Sequence, residues 1–359
     1  MSNISISNSN NIVAIFGAGR TGLALAKELV KLGFYVDLYD IEDKNLEQLA
    51  QIKFHKISTD SDLAKLQLQL EIERNGQNYE SIFHTFLYTA ADFENFINIT
   101  GSFSQHFGTI GTVLTMDRTQ DRGLLNENSP KLALENLCQN GGYAAGKRKL
   151  EIAIENWKIQ NPNTKFFTAD TFHIAGEGWV PGNSFPYFRN HTILDHIKTG
   201  QIWLPKAGDI VHQLIDQADL AKSIALGIAK KLHGDFIILN PKIITVAEYF
   251  DEIANIIMPD KTLVINELEI NQVTDTLMML LDWVCDIEKF QKAIGEEIKF
   301  QTHSETLEYS TRFLKHLLER HPEKKFQPSD IYTKMNVEPE PEIAQFNLEI
   351  QQAQNPKLF

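Results

Sequence analysis

The stretch from residue 12 to residue 40 limits the choice of folds more than any other part of the sequence. Residues 12–16 read IVAIF and lead straight into GAGRTG, which sets Gly17, Gly19 and Gly22 in the pattern G-x-G-x-x-G. A continuous β-branched run is typical of a strand buried on both faces of a parallel sheet. A helical pattern and a second strand follow, and that strand ends at Asp40. Strand, glycine turn, helix and acid-terminated strand together predict a dinucleotide-binding unit.

Each position of this turn has a physical role in holding a pyrophosphate. The first glycine allows the tight turn, the second lets the backbone approach the phosphates, and the third allows close helix packing. Free N–H groups at the helix start then face the phosphates. Asp40 would bind the adenosine ribose and repel a 2′-phosphate, so we expect NAD, whereas Arg20 could hold that phosphate and favours the alternative, NADP. The other alternative is a glycine turn that binds no dinucleotide. The cofactor-binding residues predicted here are Gly17, Gly19, Arg20, Thr21, Gly22 and Asp40.

Strands and helices alternate through most of the remaining chain. Residues 81–92, SIFHTFLYTAAD, predict a buried strand ending in small residues, and TVLTM at 112–116 predicts the next strand. Small residues are expected where a strand tip meets a cofactor ring, so Thr89, Ala90 and Ala91 join the predicted cofactor site. The alternation predicts an α/β fold, namely a Rossmann-type doubly wound parallel sheet with a smaller, mostly helical substrate-binding part.

Two insertions interrupt the alternation and divide the chain. One is rich in Gly, Pro and aromatic residues, and the other is mostly helical in pattern. The predicted parts are a disordered lead-in at 1–10, a nucleotide-binding domain at 11–172 and 211–240, a substrate-binding part at 173–210 and 241–318, and an extended tail at 319–359.

Composition argues against several classes of function. The net charge of −13 argues against nucleic acid as a partner, since phosphate binding needs clustered Lys and Arg. The apolar runs are too short to span a bilayer, and the polar start MSNISISNSN does not read as a secretory signal. Two cysteines, Cys138 and Cys285, make neither a disulfide framework nor a metal-binding spacing. We therefore expect a cytoplasmic protein that acts on a small molecule, with no metal, nucleic acid or membrane partner.

The stretch GGYAAGKRKLE, residues 141–151, contains a tyrosine and a lysine four positions apart. Residues i and i+4 of a helix share a face, so the Tyr143 phenol and the Lys147 ammonium can be neighbours. A nearby ammonium favours the phenolate and so prepares a tyrosine for acid–base catalysis. The alternative is a surface lysine and a half-buried tyrosine on an ordinary helix.

The ordered set of motifs resembles the short-chain dehydrogenase/reductase superfamily, and more narrowly its extended, NAD-dependent epimerase/dehydratase branch. The stretches that carry the resemblance are GAGRTG, YAAGKRKLE, DQADLAKSIALGI, ILNPKIITVAEYFDEIA and DIEKFQKAIG. The resemblance implies that Tyr143 is the catalytic acid/base, that Lys147 also binds the nicotinamide ribose, and that a hydroxyl near the end of the preceding strand polarises the substrate oxygen. Thr115 is the predicted hydroxyl, with Asp117 and Thr119 as alternatives.

The resemblance also implies a homodimer and a hydroxyl- or carbonyl-bearing substrate, most commonly a nucleotide-sugar. His173, Trp179 and Arg189 are candidates to contact it, because they lie in or beside the first insertion and arginine offers a bidentate fork to phosphate or carboxylate. Their alternatives are a structural histidine and a packed aromatic loop. The sequence thus predicts an NAD(P)-dependent oxidoreductase or epimerase/dehydratase-like enzyme. The alternative is a non-catalytic dinucleotide-binding sensor or scaffold, since LTMDR stands where the family often has paired serines.

Overall fold

The computed structural model of the chain describes residues 11–42, 51–57, 66, 70, 77–118, 120, 123–133, 142–177, 197, 199–260, 262–268, 281–295 and 298–320. The strands are β1 (Ile12–Phe16), β2 (Tyr35–Asp40), β3 (Ile52–Lys56), β4 (Ser81–His84), β5 (His106–Thr112), β6 (Lys165–Thr171), β7 (Ile174–Ala175), β8 (Gln201–Pro205), β9 (Val211–His212), β10 (Ile215–Asp216), β11 (Gly234–Ile237), β12 (Ile244–Thr245) and β13 (Val264–Leu268). The helices are α1 (Arg20–Lys31), α2 (Ala90–Thr100), α3 (Tyr143–Gln160), α4 (Gln217–Ala229), α5 (Val246–Ile257), α6 (Glu288–Ile294) and α7 (His303–Arg320).

Seven of these strands form one sheet in the order β11-β6-β5-β4-β1-β2-β3. Every neighbouring pair in it is parallel. The chain order reverses between β1 and β4, and in such sheets ligands bind in the crevice outside the carboxyl ends of the strands at this point. The predicted α/β fold with a doubly wound parallel sheet is therefore confirmed.

Helices cover both faces of the sheet, which explains why its central strands β1, β4 and β5 are buried along nearly their whole length. On one face α1 packs against α4 over a core that includes Val13, Leu25 and Ile224. On the other face α2 packs against α3 over a core that includes Phe96 and Leu150.

Two strands end earlier than the sequence predicted. The predicted strand at 81–92 ends at His84, and Thr89 instead caps α2 through a reciprocal capping box with Asp92. The predicted strand at 112–116 is wrong as well, because β5 ends at Thr112 and Thr115 lies in a 3₁₀ turn. The Thr112 side chain accepts the Leu114 N–H, and this local bond competes with the strand ladder and starts the turn.

The smaller part of the molecule combines helices α5 and α7 with three two-stranded sheets, β10-β7, β12-β9 and β13-β8. It has its own apolar core, in which Ile202, Phe250 and Leu307 are fully buried. The lead-in at 1–10, the tail beyond residue 320, Thr119, Cys138, Trp179 and Arg189 lie outside the described residues. Among the described helices, none is both long enough and apolar enough to cross a membrane.

Candidate functional site: the crevice between β1 and β4

The three glycines of the turn face three different surroundings. Gly17 has a φ of +102°, a conformation that favours glycine, and a side chain there would collide with Thr85. A side chain at Gly22 would collide with the Gly17 carbonyl, so the third glycine lets α1 approach the strand. At Gly19, no atom of the described residues lies within 4 Å of a would-be Cβ. The helix therefore begins at a residue with open space above it, as a phosphate-binding turn requires.

Asp40 joins the tip of β2 to the same turn. One carboxylate oxygen accepts the Ala18 N–H at 2.6 Å, and the other accepts the Glu42 N–H at 2.9 Å. A carboxylate has about four acceptor positions, so two remain for ribose hydroxyls. Arg20 and Thr21 are the first two residues of α1, on the far side of Gly19.

The segment after β4 forms the opposite wall of the crevice. The Thr85 hydroxyl donates to the Phe16 carbonyl at 3.1 Å and so ties β4 to the end of β1. The Phe86 ring lies close to Gly17, within 2.6 Å of a would-be Cβ, and is 45% exposed. This wall is aromatic, whereas the sequence predicted small residues at the strand tip. Thr89, Ala90 and Ala91 stand four or more residues further on, at the start of α2, and their contact with a cofactor stays a prediction.

Lys147 is buried between this wall and β5. Its side chain projects from α3, only 3% of the residue is exposed, and Nζ donates to the carbonyls of Leu87 at 2.5 Å and Ile110 at 3.0 Å. Burial lowers the pKa of Lys147 to about 8, an effect that the carboxyl groups of Asp170 and Glu151 partly offset. Lys147 is thus an ammonium that loses its proton easily and is held by backbone carbonyls.

Tyr143 stands at the first position of α3, above Lys147. The residue is 52% exposed, and its ring centre lies 5.8 Å from Lys147 Nζ. A second phenol lies beside the pair: the Tyr88 ring is 5.0 Å from Lys147 Nζ and meets the Tyr143 ring edge to face at 6.1 Å. The structure therefore brings the predicted tyrosine and lysine together at the carboxyl edge of the sheet.

Thr115 is not brought to that pair. It is fully buried, its hydroxyl lies 2.5 Å from Glu151 Oε1, and Lys131 Nζ donates to it at 3.2 Å. Since Glu151 follows Tyr143 by eight residues on α3, about 12 Å of helix separates the two contacts. The alternative candidate Asp117 is also buried and accepts the Gln120 side-chain amide at 2.7 Å. The role of Thr115 toward a substrate stays a prediction.

His173 lies where the sheet meets the smaller part. It follows β6, has a φ of +29°, which is uncommon and strained for a residue other than glycine, and is buried against Tyr249 with ring centres 5.1 Å apart. Phe172 and His212 complete this aromatic group. The contact of His173 with a substrate stays a prediction.

Sequence reasoning missed Phe86 and Tyr88. Both are exposed aromatic residues that follow β4 at the point where the strand order reverses. The run FLY itself is the signal that could have found them. Its two aromatic residues directly follow a buried strand, and ligands of such sheets bind outside the carboxyl ends of the strands.

The crevice can be tested for its fit to a dinucleotide from these contacts. The open space at Gly19 and the free acceptor positions of Asp40 suit a pyrophosphate and a ribose. At the other end of the crevice, the Lys147 ammonium has a third N–H beyond the two that bond carbonyls of described residues. The exposed rings of Phe86 and Tyr88 are flat surfaces that suit the nicotinamide ring of a cofactor. The residues of the crevice therefore fit a dinucleotide cofactor bound in an extended conformation.

A doubly wound sheet of this strand order, with a glycine turn after its first strand, defines the class of dinucleotide-binding folds. No protein-family model matches the sequence, and no curated protein matches it either. Solved structures do match: the Bordetella bronchiseptica enzyme WbmH, in complex with NAD+, is 15% identical and aligns over 85% of this chain and 98% of its own with a TM-score of 0.64. The UDP-glucose 4-epimerase of Thermotoga maritima, with UDP-glucose, is 14% identical over 86% of this chain and 99% of its own, with a TM-score of 0.63.

A third match is the UDP-Glc/GlcNAc 4-epimerase of Campylobacter jejuni, 15% identical over 85% of this chain and 99% of its own, with a TM-score of 0.64. At this level of identity the likeness establishes the fold. The chain shares its fold with these solved structures, two of which are UDP-sugar 4-epimerases by name, so the predicted resemblance to the epimerase/dehydratase branch is confirmed as a likeness of fold.

Proposed function

We propose that the protein is an NAD-dependent enzyme that acts on a nucleotide-sugar by hydride transfer, with Tyr143 as the acid/base. One observation carries this proposal: a buried ammonium, Lys147, lies 5.8 Å from an exposed tyrosine ring at the edge of the sheet where the strand order reverses. A buried lysine charge is costly unless it is paired and hydrogen-bonded. Buried ionisable groups with shifted pKa values cluster at functional sites, so Lys147 at this edge of the sheet supports acid–base chemistry there.

The glycine turn and Asp40 would hold the cofactor. NAD, when bound, supplies the acceptor or donor of the hydride. Gly19 would admit the pyrophosphate to the N–H groups of α1, and Asp40 would accept the ribose hydroxyls, which favours NAD over NADP. The third N–H of Lys147 would donate to the nicotinamide ribose.

Tyr143 would carry the proton. In the oxidation direction the phenolate accepts the proton of the substrate hydroxyl, and in the reduction direction the phenol returns it to the carbonyl oxygen. Lys147 would favour the phenolate through its positive charge, as an ammonium within a few ångströms does. Its burial strengthens that effect because little water screens the charge.

The proposed substrate class comes from the neighbours of the fold. The Thermotoga and Campylobacter enzymes are UDP-sugar 4-epimerases by name, and both align over nearly their whole length. The family resemblance also supports a homodimer, and the low cysteine content supports a cytoplasmic location.

A second function is favoured by one observation, the placement of Thr115. Its hydroxyl is bonded within a buried charge network with Glu151 and Lys131, so Thr115 does not present that hydroxyl beside Tyr143. A protein that holds the dinucleotide as a sensor or scaffold would need no such group.

The experiment has two stages. Mass spectrometry of the denatured purified protein identifies a bound cofactor, and fluorescence titration compares NADH with NADPH; we expect NAD(H), bound more tightly than NADP(H). The protein is then incubated with UDP-glucose and with UDP-N-acetylglucosamine, and the sugars are analysed. Tight NADH binding without turnover of either sugar would favour the sensor or scaffold, and no dinucleotide binding would contradict both functions.

A further inference from the structure

A hydride-transfer site needs a hydrogen-bond donor on the reacting oxygen besides the acid/base, because charge develops there in the transition state. Thr115 has its hydroxyl within 2.5 Å of the Glu151 carboxylate, two turns of α3 away from Tyr143. Asp117 is bonded to Gln120. Neither of these two stands beside Tyr143, and the third predicted helper, Thr119, lies outside the described residues. Among the residues that the structure describes, another group would have to serve.

Tyr88 stands at the required place. It is 50% exposed, and its ring meets that of Tyr143 edge to face with centres 6.1 Å apart. Lys147 Nζ lies 5.0 Å from the Tyr88 ring, closer than the 5.8 Å to the Tyr143 ring. Two half-exposed phenols therefore flank one buried ammonium at the mouth of the crevice.

The backbone holds Tyr88 firmly in this position. The Tyr88 N–H donates to Asp92 at 3.2 Å, and the next residue, Thr89, caps α2. The carbonyl before it, that of Leu87, accepts Lys147 Nζ at 2.5 Å. On the other side, the Tyr88 carbonyl lies 3.1 Å from a would-be Cβ at Gly146, so α3 packs against it closely.

We propose that Tyr88 is a second catalytic phenol, which donates a hydrogen bond to the substrate oxygen whose proton Tyr143 exchanges. This inference rests on the proposed function. In the oxidation direction the hydroxyl proton of the substrate would pass to the Tyr143 phenolate, the carbon that bears this hydroxyl would give its hydride to bound NAD+, and a carbonyl would form. Tyr88 keeps its own proton throughout and stabilises the charge on the oxygen, the part that the family resemblance assigned to Thr115.

The test separates the hydroxyl of Tyr88 from its ring. Tyr88→Phe removes only the hydroxyl, Tyr88→Leu removes the ring as well, and Tyr35→Phe is the matched control, because Tyr35 is similarly exposed at 48% but begins β2 at the opposite edge of the sheet. Each variant is assayed with UDP-glucose and UDP-N-acetylglucosamine, and its NADH affinity is measured by fluorescence. We expect Tyr88→Phe to lose about 100-fold in kcat, with NADH affinity unchanged, and Tyr35→Phe to match the wild type.

Two results would overturn the inference. If Tyr88→Phe keeps full kcat while Tyr88→Leu raises KM, Tyr88 serves only as a wall of the site. If Tyr88→Phe loses NADH affinity, Tyr88 is a cofactor contact instead. Failure of the proposed function shows separately, because Tyr143→Phe would then keep the wild-type turnover, or the wild type would bind no NADH.

Discussion

At one end of the crevice three glycines shape the site, whereas at the other end side chains from two separate segments of the chain do so. Gly17, Gly19 and Gly22 lie within six positions of each other, and their conformations follow from the local turn. Lys147, Tyr143 and Tyr88 come from α3 and from the loop after β4, and only folding brings them together. The first end can be recognised from spacing, and the second requires the packing of distant segments.

At the glycine end of the crevice, the largest expected effect contrasts two glycines of the turn. Gly19→Val should lower NADH affinity by about 10- to 100-fold, because the new side chain fills the space open to the phosphates. The melting temperature should stay unchanged, because no atom of the described residues lies within 4 Å of a Cβ at this position. Gly22→Ala should lower NADH affinity and also lower the free energy of unfolding by about 1–3 kcal/mol, since the methyl group meets the Gly17 carbonyl. NADH fluorescence titration and thermal unfolding measure the two effects. Undiminished NADH binding by Gly19→Val would show that the turn holds no pyrophosphate.

A smaller effect is expected at Thr115, the residue that the sequence predicted for the catalytic end of the crevice. Thr115→Val keeps the shape but removes the hydroxyl that Glu151 Oε1 accepts, while the bonds of Glu151 with Lys131 and Arg148 remain. The free energy of unfolding should therefore fall by about 1–3 kcal/mol, while turnover per folded molecule stays unchanged. Thr109→Val is the matched control, because its buried hydroxyl donates to an uncharged carbonyl, that of His84, at 2.9 Å. Denaturant unfolding and steady-state kinetics distinguish the two roles. A well-folded Thr115→Val with little turnover would make Thr115 the substrate ligand and contradict the role given to Tyr88.

These two sites show how far the sequence could lead. The order of strand, glycine turn and helix predicted the first strands of the sheet and the placement of Asp40, because the residues that form this unit all lie between positions 12 and 40. The ends of β4 and β5 were predicted wrongly, because side-chain hydrogen bonds set the structure that follows each strand. Thr89 and Asp92 cap α2 after β4, and Thr112 accepts the Leu114 N–H after β5. The pattern of apolar residues does not show such bonds. Tyr88 was missed for the same reason, because its place depends on where β4 stops.

The smallest effect concerns pH at the lysine. Below a pH of about 8 Lys147 carries its charge, and above it the charge is lost, because burial lowers the pKa of this group to about 8. We therefore expect kcat/KM to fall as pH rises through this value. Lys147→Arg should abolish this fall, since a guanidinium stays charged. A wild-type profile that stays flat to well above pH 8 would contradict the role of this charge.

Turnover by Tyr143→Phe tests the central claim most directly. The residue is 52% exposed, so the variant should fold, melt and bind NADH as the wild type does. With UDP-glucose or UDP-N-acetylglucosamine as substrate, kcat should fall by about 1,000-fold, the size expected for loss of a positioned proton-transfer group. Full turnover by the folded, NADH-binding variant would contradict the assignment of Tyr143 as the acid/base of the site.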